Sequence, residues 1–203
     1  MVKRIYICTM KSIVILSMFL SFNYCFEAQQ KGYYKSEIGA ELYGGFSNLG
    51  GAFGGEIKYG YLVDKNFIVG PSFRLQRTWT NNFGVNQSFN IYGGGLFAHY
   101  RIQEKLFLGT EMQMLRSPFN FVSFQQNTKK WAPIILIGGG VHLKLHERIR
   151  MSAGIFYDVV NAENSPFRSS YNFKVKNEFG QIVRILPIIY RITFFFPLGE
   201  KTN

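Results

Sequence analysis

Tyr100-Arg-Ile-Gln-Glu-Lys-Leu-Phe-Leu-Gly109 joins two alternating apolar–polar segments through the polar triplet Gln103–Lys105. The same arrangement occurs at Tyr61-Leu-Val-Asp-Lys-Asn-Phe-Ile-Val-Gly70 and at Leu143-Lys-Leu-His-Glu-Arg-Ile-Arg-Met-Ser152. Apolar side chains at every second position make a strand with one greasy and one polar face. A short charged triplet between two such runs reverses the chain into a tight hairpin. Three hairpins of one design predict an antiparallel sheet in which sequential strands are neighbours.

Working outward, period two marks eight strands: Lys35–Phe46, Ala52–Val63, Asn66–Trp79, Ser88–Ile102, Leu106–Arg116, Trp131–Leu145, Arg148–Val160 and Leu186–Pro197. In the fourth, Tyr92, Leu96, Ala98, Tyr100 and Ile102 oppose Gly93, Gly95, His99 and Arg101. In the eighth, Ile188, Tyr190, Ile192, Phe194 and Phe196 oppose Arg191 and Thr193. Longer connections are expected at Thr78–Gln87, Ser117–Lys130 and Asn161–Ile185, whereas Ser47–Gly51 is brief. A soluble sandwich with one wet face also alternates. Here, however, the polar face carries Arg, Glu, His and Gly, too polar for a sandwich core. The apolar face carries Tyr100, Tyr157 and Tyr190 near strand ends, as membrane interfaces require. Short turns on one side and long loops on the other complete the reading. The fold class is all-β, an eight-stranded antiparallel up-and-down transmembrane β-barrel. After residue 30 no apolar segment reaches helical membrane-spanning length, and lipid tolerates no open sheet edge.

The N-terminus reads differently. Lys3, Arg4 and Lys11 precede the apolar run Ile13–Leu20, with a small residue at Ala28. This is the pattern of a cleavable secretory signal, residues 1–28, leaving a barrel domain over 29–203. Met10 is an alternative initiator, and Cys25 raises a lipoprotein alternative that the bulky Tyr24 before it disfavours. Both cysteines, Cys8 and Cys25, would leave with the signal, so no disulfide is available and closure must come from the sheet. Of 23 basic and 12 acidic residues, 20 and 11 remain after residue 28, a net charge of +9. Aromatics make up 17% of the chain, a composition of strands rather than disorder. Nothing resembles a nucleic-acid module.

From these turns and from the closing strand Ile188-Ile-Tyr-Arg-Ile-Thr-Phe-Phe-Phe196, the chain resembles the small outer-membrane β-barrels of Gram-negative bacteria, the OmpX-like and OmpA-like eight-stranded domains. The resemblance covers residues 35–197. It implies an outer-membrane location and recognition of an aromatic last strand by the barrel-assembly machinery. Pro197–Asn203 follows the last Phe, which places that signal slightly inside the chain. Function is not implied, because such barrels serve many.

The inward faces are expected to hold Glu37, Glu41, Glu56, Glu111 and Asp158 against Lys58, Arg74, Arg101, Lys144, Arg150 and Arg191, with His99 and His142 in the same network. An eight-stranded barrel is just wide enough for side chains to fill it, so these charges should pair into a plug. A narrow porin-like channel for small solutes is the competing picture. The surplus positive charge falls on the outer connections, at Arg77, Arg116, Lys129, Lys130, Arg168, Lys174, Lys176 and Arg184. Guanidinium and ammonium groups pair with phosphate, so lipopolysaccharide contact stands beside the plain reading of solvated loop charge. Phe167, Tyr171, Phe173 and Phe179 in the last loop suggest either partner contact or, preferably, an extension of strands seven and eight beyond the membrane.

Chemistry finds little support. Histidine occurs only at 99, 142 and 146. A metal site on His99 and His142 would need Glu111 as a third ligand, and hydrogen-bonded network histidines are the simpler reading. With no His in a long loop, a Ser-His-acid relay at the outer surface lacks its base, so a lipid-modifying enzyme ranks last. The Gly clusters at 44–45, 54–55, 93–95 and 138–140 precede no helix and are expected to serve strand curvature. The sequence therefore predicts a non-enzymatic envelope barrel, structural or surface-interacting, with no cofactor or metal and with outer-membrane lipid and lipopolysaccharide as its surroundings.

Overall fold

The computed structural model describes residues 33–202 apart from 48–49, 83–84, 118, 121–124, 127–128 and 172. The expected signal segment, residues 1–28, lies outside the described residues. Eight long strands close on themselves: β1 (Tyr33–Ser47), β2 (Gly50–Leu62), β3 (Phe67–Asn82), β4 (Val85–Ile102), β5 (Leu106–Arg116), β6 (Trp131–His146), β7 (Ile149–Asp158) and β8 (Ile188–Thr202). Each pairs antiparallel with its sequence neighbour, and β8 returns to β1, with Ile38 opposite Phe196 and Ala40 opposite Phe194. No edge of the barrel is left, so the ladder satisfies the strand backbone groups that hydrocarbon could not.

Alternation fixes which side chains meet lipid. Leu42, Ile57, Leu96, Leu108 and Tyr190 stand outward and exposed, while Glu41, Glu56, Phe97, Phe107 and Arg191 one position away are buried. A sandwich would bury the first set; here it clothes the cylinder. An exterior of this kind on a closed sheet belongs in a bilayer, as in a transmembrane β-barrel.

The three polar triplets form the tight turns at one end. At Ile102–Lys105 the Lys105 N–H donates to the Ile102 carbonyl at 3.0 Å, with Gln103 at φ 52° and Glu104 at φ 53°. Two consecutive positive φ angles give the primed turn whose twist suits a hairpin, although neither residue is one that favours it. At the first turn Asp64 Oδ1 accepts from the N–H groups of Asn66 and Phe67 at 2.6 and 2.8 Å. A short side chain there substitutes for a missing backbone partner.

Several features at the strand ends and in the loops depart from the sequence expectation. The connection Thr78–Gln87 is not a loop, because the β3–β4 ladder continues to Asn82 opposite Val85. Thr78, Trp79, Asn86 and Gln87 are polar or mixed on both faces, and above the bilayer a strand needs no apolar side. The eighth strand runs through Pro197 to Thr202, with Leu198 opposite Ser36 and Lys201 opposite Tyr34. A bulge between Tyr34 and Ser36, near Gly199 at φ 77°, absorbs the irregularity. The last loop does not prolong β7 and β8. It forms a short 3₁₀ turn, Pro166–Ser170, and a separate hairpin, Lys174–Lys176 with Ile182–Ile185.

Glycine serves close strand approach. A Cβ on Gly95 would lie 1.8 Å from the Met112 carbonyl oxygen on β5, and one on Gly109 would lie 2.5 Å from the His99 ring. Both point inward, where the wall must curve and a larger neighbour needs the space.

Replacing Gln103 by Asn and Glu104 by Gly should stabilise the barrel by about 1 kcal/mol, since these residues accept positive φ more readily. Urea unfolding from vesicles should show a raised midpoint with an unchanged slope; an unchanged or lowered midpoint would contradict the strained turn.

Candidate functional site

The inner face is the densest collection of chemistry in the chain. Glu41 on β1, Glu56 and Lys58 on β2, Arg74 on β3, Glu111 on β5 and Arg191 on β8 all project to the same region and are each at most 5% exposed. Arg191 is the hub. Its Nε and Nη2 donate to Glu41, at 2.9 and 2.7 Å, its Nη2 also to Glu56 at 2.7 Å, and its Nη1 to Glu111. Arg74 donates to Glu56 through Nε at 3.0 Å and to Glu41 through Nη2 at 3.2 Å. Lys58 donates to Glu111, and its ammonium stands 3.7 Å from Glu56. Gln113 and Thr193 fill further carboxylate positions, on Glu56 at 2.9 Å and on Glu41 at 3.1 Å. Three carboxylates and three cations thus neutralise one another across five strands.

Nearer the turns lies a second group. Glu37 accepts from Arg101 at 2.6 Å and from Arg150 at 2.5 Å. His99 Nε2 lies 3.2 Å from Glu111 Oε1, and His142 Nδ1 lies 2.8 Å from Ser152 Oγ. The two histidines therefore bond to different partners instead of converging. Among the described residues no three His, Cys, Asp or Glu side chains gather as a metal would require.

Two apolar clusters that polar alternation had hidden enclose these charges. Leu62, Ile68, Phe97 and Phe195 form one. Ile91, Phe107, Leu115, Ile134, Leu136, Phe156, Phe167, Tyr171 and Ile189 form the other. Aromatic faces receive the cations. Lys58 Nζ sits 5.4 Å from the Phe97 ring, Arg101 5.0 Å from Phe195, Arg74 4.6 Å from Phe167 and Arg191 5.7 Å from Phe156. A desolvated cation over a ring gains about 2 kcal/mol, which offsets part of the cost of burying it.

Lys144 is a correction to the expected network. It shares the inward parity of His142 but is exposed, two residues nearer the turn and beyond the filled interior. Asp158 is another: it is buried at the opposite, loop end and meets no cation within ion-pair distance among the described residues. It anchors the last loop. Tyr171 donates its hydroxyl to Asp158 Oδ2 at 2.8 Å, Ser165 donates to the same oxygen at 3.2 Å, and the Asn161 N–H donates to Oδ1 at 3.0 Å. Burial, reinforced by the Asp158 charge, pushes the Tyr171 phenol up, which keeps it a donor. Asn164 clasps the other long loop, donating to the carbonyls of Ser117 and Lys129, each at 3.0 Å. Phe167 and Tyr171, expected at the surface, are buried: this latch carries them into the barrel mouth.

The outer basic residues separate similarly. Arg77 lies on β3, exposed, and not in a loop; Lys129, Lys130 and Lys176 are exposed as well. Arg116, at the end of β5, stands 5.6 Å over the outward Tyr92 ring and pairs in register with Trp131. Arg168 is corrected: its guanidinium is held by the carbonyls of Ala162 and Asn161 at 2.7 and 2.6 Å, which leaves it a loop staple. The side chains of Lys174 and Arg184 lie outside the described residues.

Replacing Arg191 by Met should destabilise the fold by about 3–5 kcal/mol, because three carboxylates lose a shared partner inside the barrel. Lys144→Ala should change stability by less than about 0.5 kcal/mol. Urea midpoints of the two variants check both; near-equal losses would refute the assignment of the interior.

No family model matches the sequence, and no curated protein matches it. Among solved structures the chain is similar to the Yersinia pestis outer membrane protein Ail, determined as a backbone structure in a phospholipid bilayer nanodisc. The two are 15% identical, with 82% of this chain and 100% of that chain covered and a TM-score of 0.45. By its own closure and exterior, the chain is an all-β, eight-stranded antiparallel barrel of the transmembrane type.

Proposed function

We propose that this barrel is a sealed, non-catalytic element of the outer membrane, delivered by the residue 1–28 signal, and that it works through its outer surface. One observation carries this reading: the neutral Glu41–Glu56–Glu111 and Lys58–Arg74–Arg191 cluster lies with apolar side chains around it in a barrel only eight strands wide. An ion entering would have to break charge-assisted bonds that hold one another in place. Acid–base chemistry is likewise unsupported, since His99 and His142 are buried and bonded to Glu111 and Ser152, away from any lipid headgroup. Planar-bilayer recording should therefore show no stable stepwise current. Stepwise currents abolished by replacing Arg74 or Arg101 would establish the narrow-channel reading instead.

A surface role has its own support. Arg116 and Lys130 flank the exposed Trp131, with Tyr92 alongside and Arg77 on the neighbouring strand. Cations beside aromatic rings at a membrane boundary suit phosphate-bearing headgroups, lipopolysaccharide above all in this membrane. Arg116→Ala with Lys130→Ala should lower the lipopolysaccharide that stays with the purified barrel while leaving its heat-modifiable gel shift intact. Undiminished retention would reduce these residues to solvated charge.

A further inference from the structure

The hairpin in the last loop takes no part in the latch. Its strands, Lys174–Lys176 and Ile182–Ile185, are closed at the root by the Leu186 N–H on the Phe173 carbonyl at 2.8 Å. Its turn is rigidly specified. Asn177 Oδ1 accepts from the N–H groups of Phe179 and Gln181 at 3.1 and 2.9 Å, and the Gly180 N–H donates to the Asn177 carbonyl at 2.9 Å. Gly180 takes φ 75°, a conformation glycine adopts freely. This framework holds Phe179 86% exposed, with Val183 and Ile185 also exposed.

A hairpin tied this firmly does not fold its apolar side chains away, so something outside the chain must cover them. The root shows what. The Phe173 ring packs 5.7 Å from the ring of Tyr190, and Tyr190 stands outward on β8 among the side chains that face lipid. The hairpin thus springs from the hydrocarbon-facing wall, while the latch residues Ser165 and Tyr171 before it turn into the mouth. Its exposed apolar side chains therefore lie on a hairpin rooted at the lipid-facing wall.

We propose that this hairpin is seated in the outer boundary of the bilayer, with Phe179 and Val183 among the upper acyl chains and exposed Lys176 at headgroup level. Aromatic and aliphatic side chains mixed with lysine are the composition that settles in this zone. Seated there, the hairpin braces the loop that closes the mouth against the membrane. The inference is independent of lipopolysaccharide contact, because apolar insertion requires no phosphate.

The test uses the full chain with Cys8 and Cys25 replaced by Ser, so that one new cysteine takes an environment-sensitive NBD label. Phe179→Cys and Val183→Cys are compared with Leu96→Cys on the lipid-facing wall and Lys65→Cys at the opposite turn, all folded into phosphatidylcholine vesicles. A retained heat-modifiable shift confirms folding of each. Emission at 179 and 183 should move to the blue and be quenched by shallow doxyl-labelled phosphatidylcholine, as at 96 and unlike 65. Val183→Cys keeps Phe179 in place, so its result stands even where the tip substitution weakens insertion. Water-like emission without lipid quenching at both positions would overturn the proposal. So would a blue shift that depends on protein density and vanishes on dilution into excess lipid, which would make a second copy the occupant.

Discussion

Hydrocarbon offers backbone amides nothing to bond, and that single restriction organises this molecule. It forces every strand to pair along both sides, hence closure between β1 and β8. Closure sends every second residue into a lumen that only side chains can fill. Once Glu41, Glu56 and Glu111 lie there, cations become obligatory: Arg191 donates hydrogen bonds to all three, and the Lys58 ammonium stands within 4.0 Å of each. Register follows. A slip of one residue would put Arg191 in lipid and Ile192 in the charge cluster, so the ion pairs select the pairing as strongly as the apolar exterior does.

The interior is not a uniform salt lattice. Rings of Phe97, Phe156, Phe167 and Phe195 lie against the cations, which lowers local polarity and strengthens the bonds the carboxylates accept. The price of that dryness is that any unbalanced charge becomes costly. Glu37 faces two guanidiniums, and Arg101 Nη1 and Arg150 Nε have no hydrogen-bond partner among the described residues. This excess lies toward the turn end, where Arg150, at 9% exposure, is the most accessible of the five network cations. Imbalance is thus confined to the turn end, and balance is strictest at the centre.

Strand identity and facing were legible in the sequence because charge and apolarity alternate through Glu56–Lys58 and Arg191–Thr193 without interruption. Depth was not. Parity assigns Lys144 inward but cannot say that the filled region ends at His142. The apolar inner layers were obscured for a related reason: in Ile192–Phe196 both faces are greasy near one end, so Phe195 disappears into a continuous run. Beyond the bilayer the signal changes again. Thr78–Asn82 and Val85–Gln87 carry polar residues at both parities and lose alternation, although both segments are paired strand. The latch could not be seen at all, since Phe167 and Tyr171 become interior only through Asp158 and Asn164, contacts between residues that local pattern does not relate.

The two ends of the barrel are sealed by different means, and the difference bears on what the protein can do. The turn end is filled by residues belonging to the strands themselves, Leu62, Ile68, Phe97 and Phe195, so opening it would require distorting the wall. The loop end is filled by Phe167 and Tyr171, delivered from a connection that is held by hydrogen bonds to Asp158, Ser117 and Lys129 and by packing of these two rings into the inner apolar cluster. Loops close and open at lower free energy than a continuous sheet deforms. The seal made by a connection and not by the wall therefore lies at the end that also carries the exposed basic residues and the apolar hairpin.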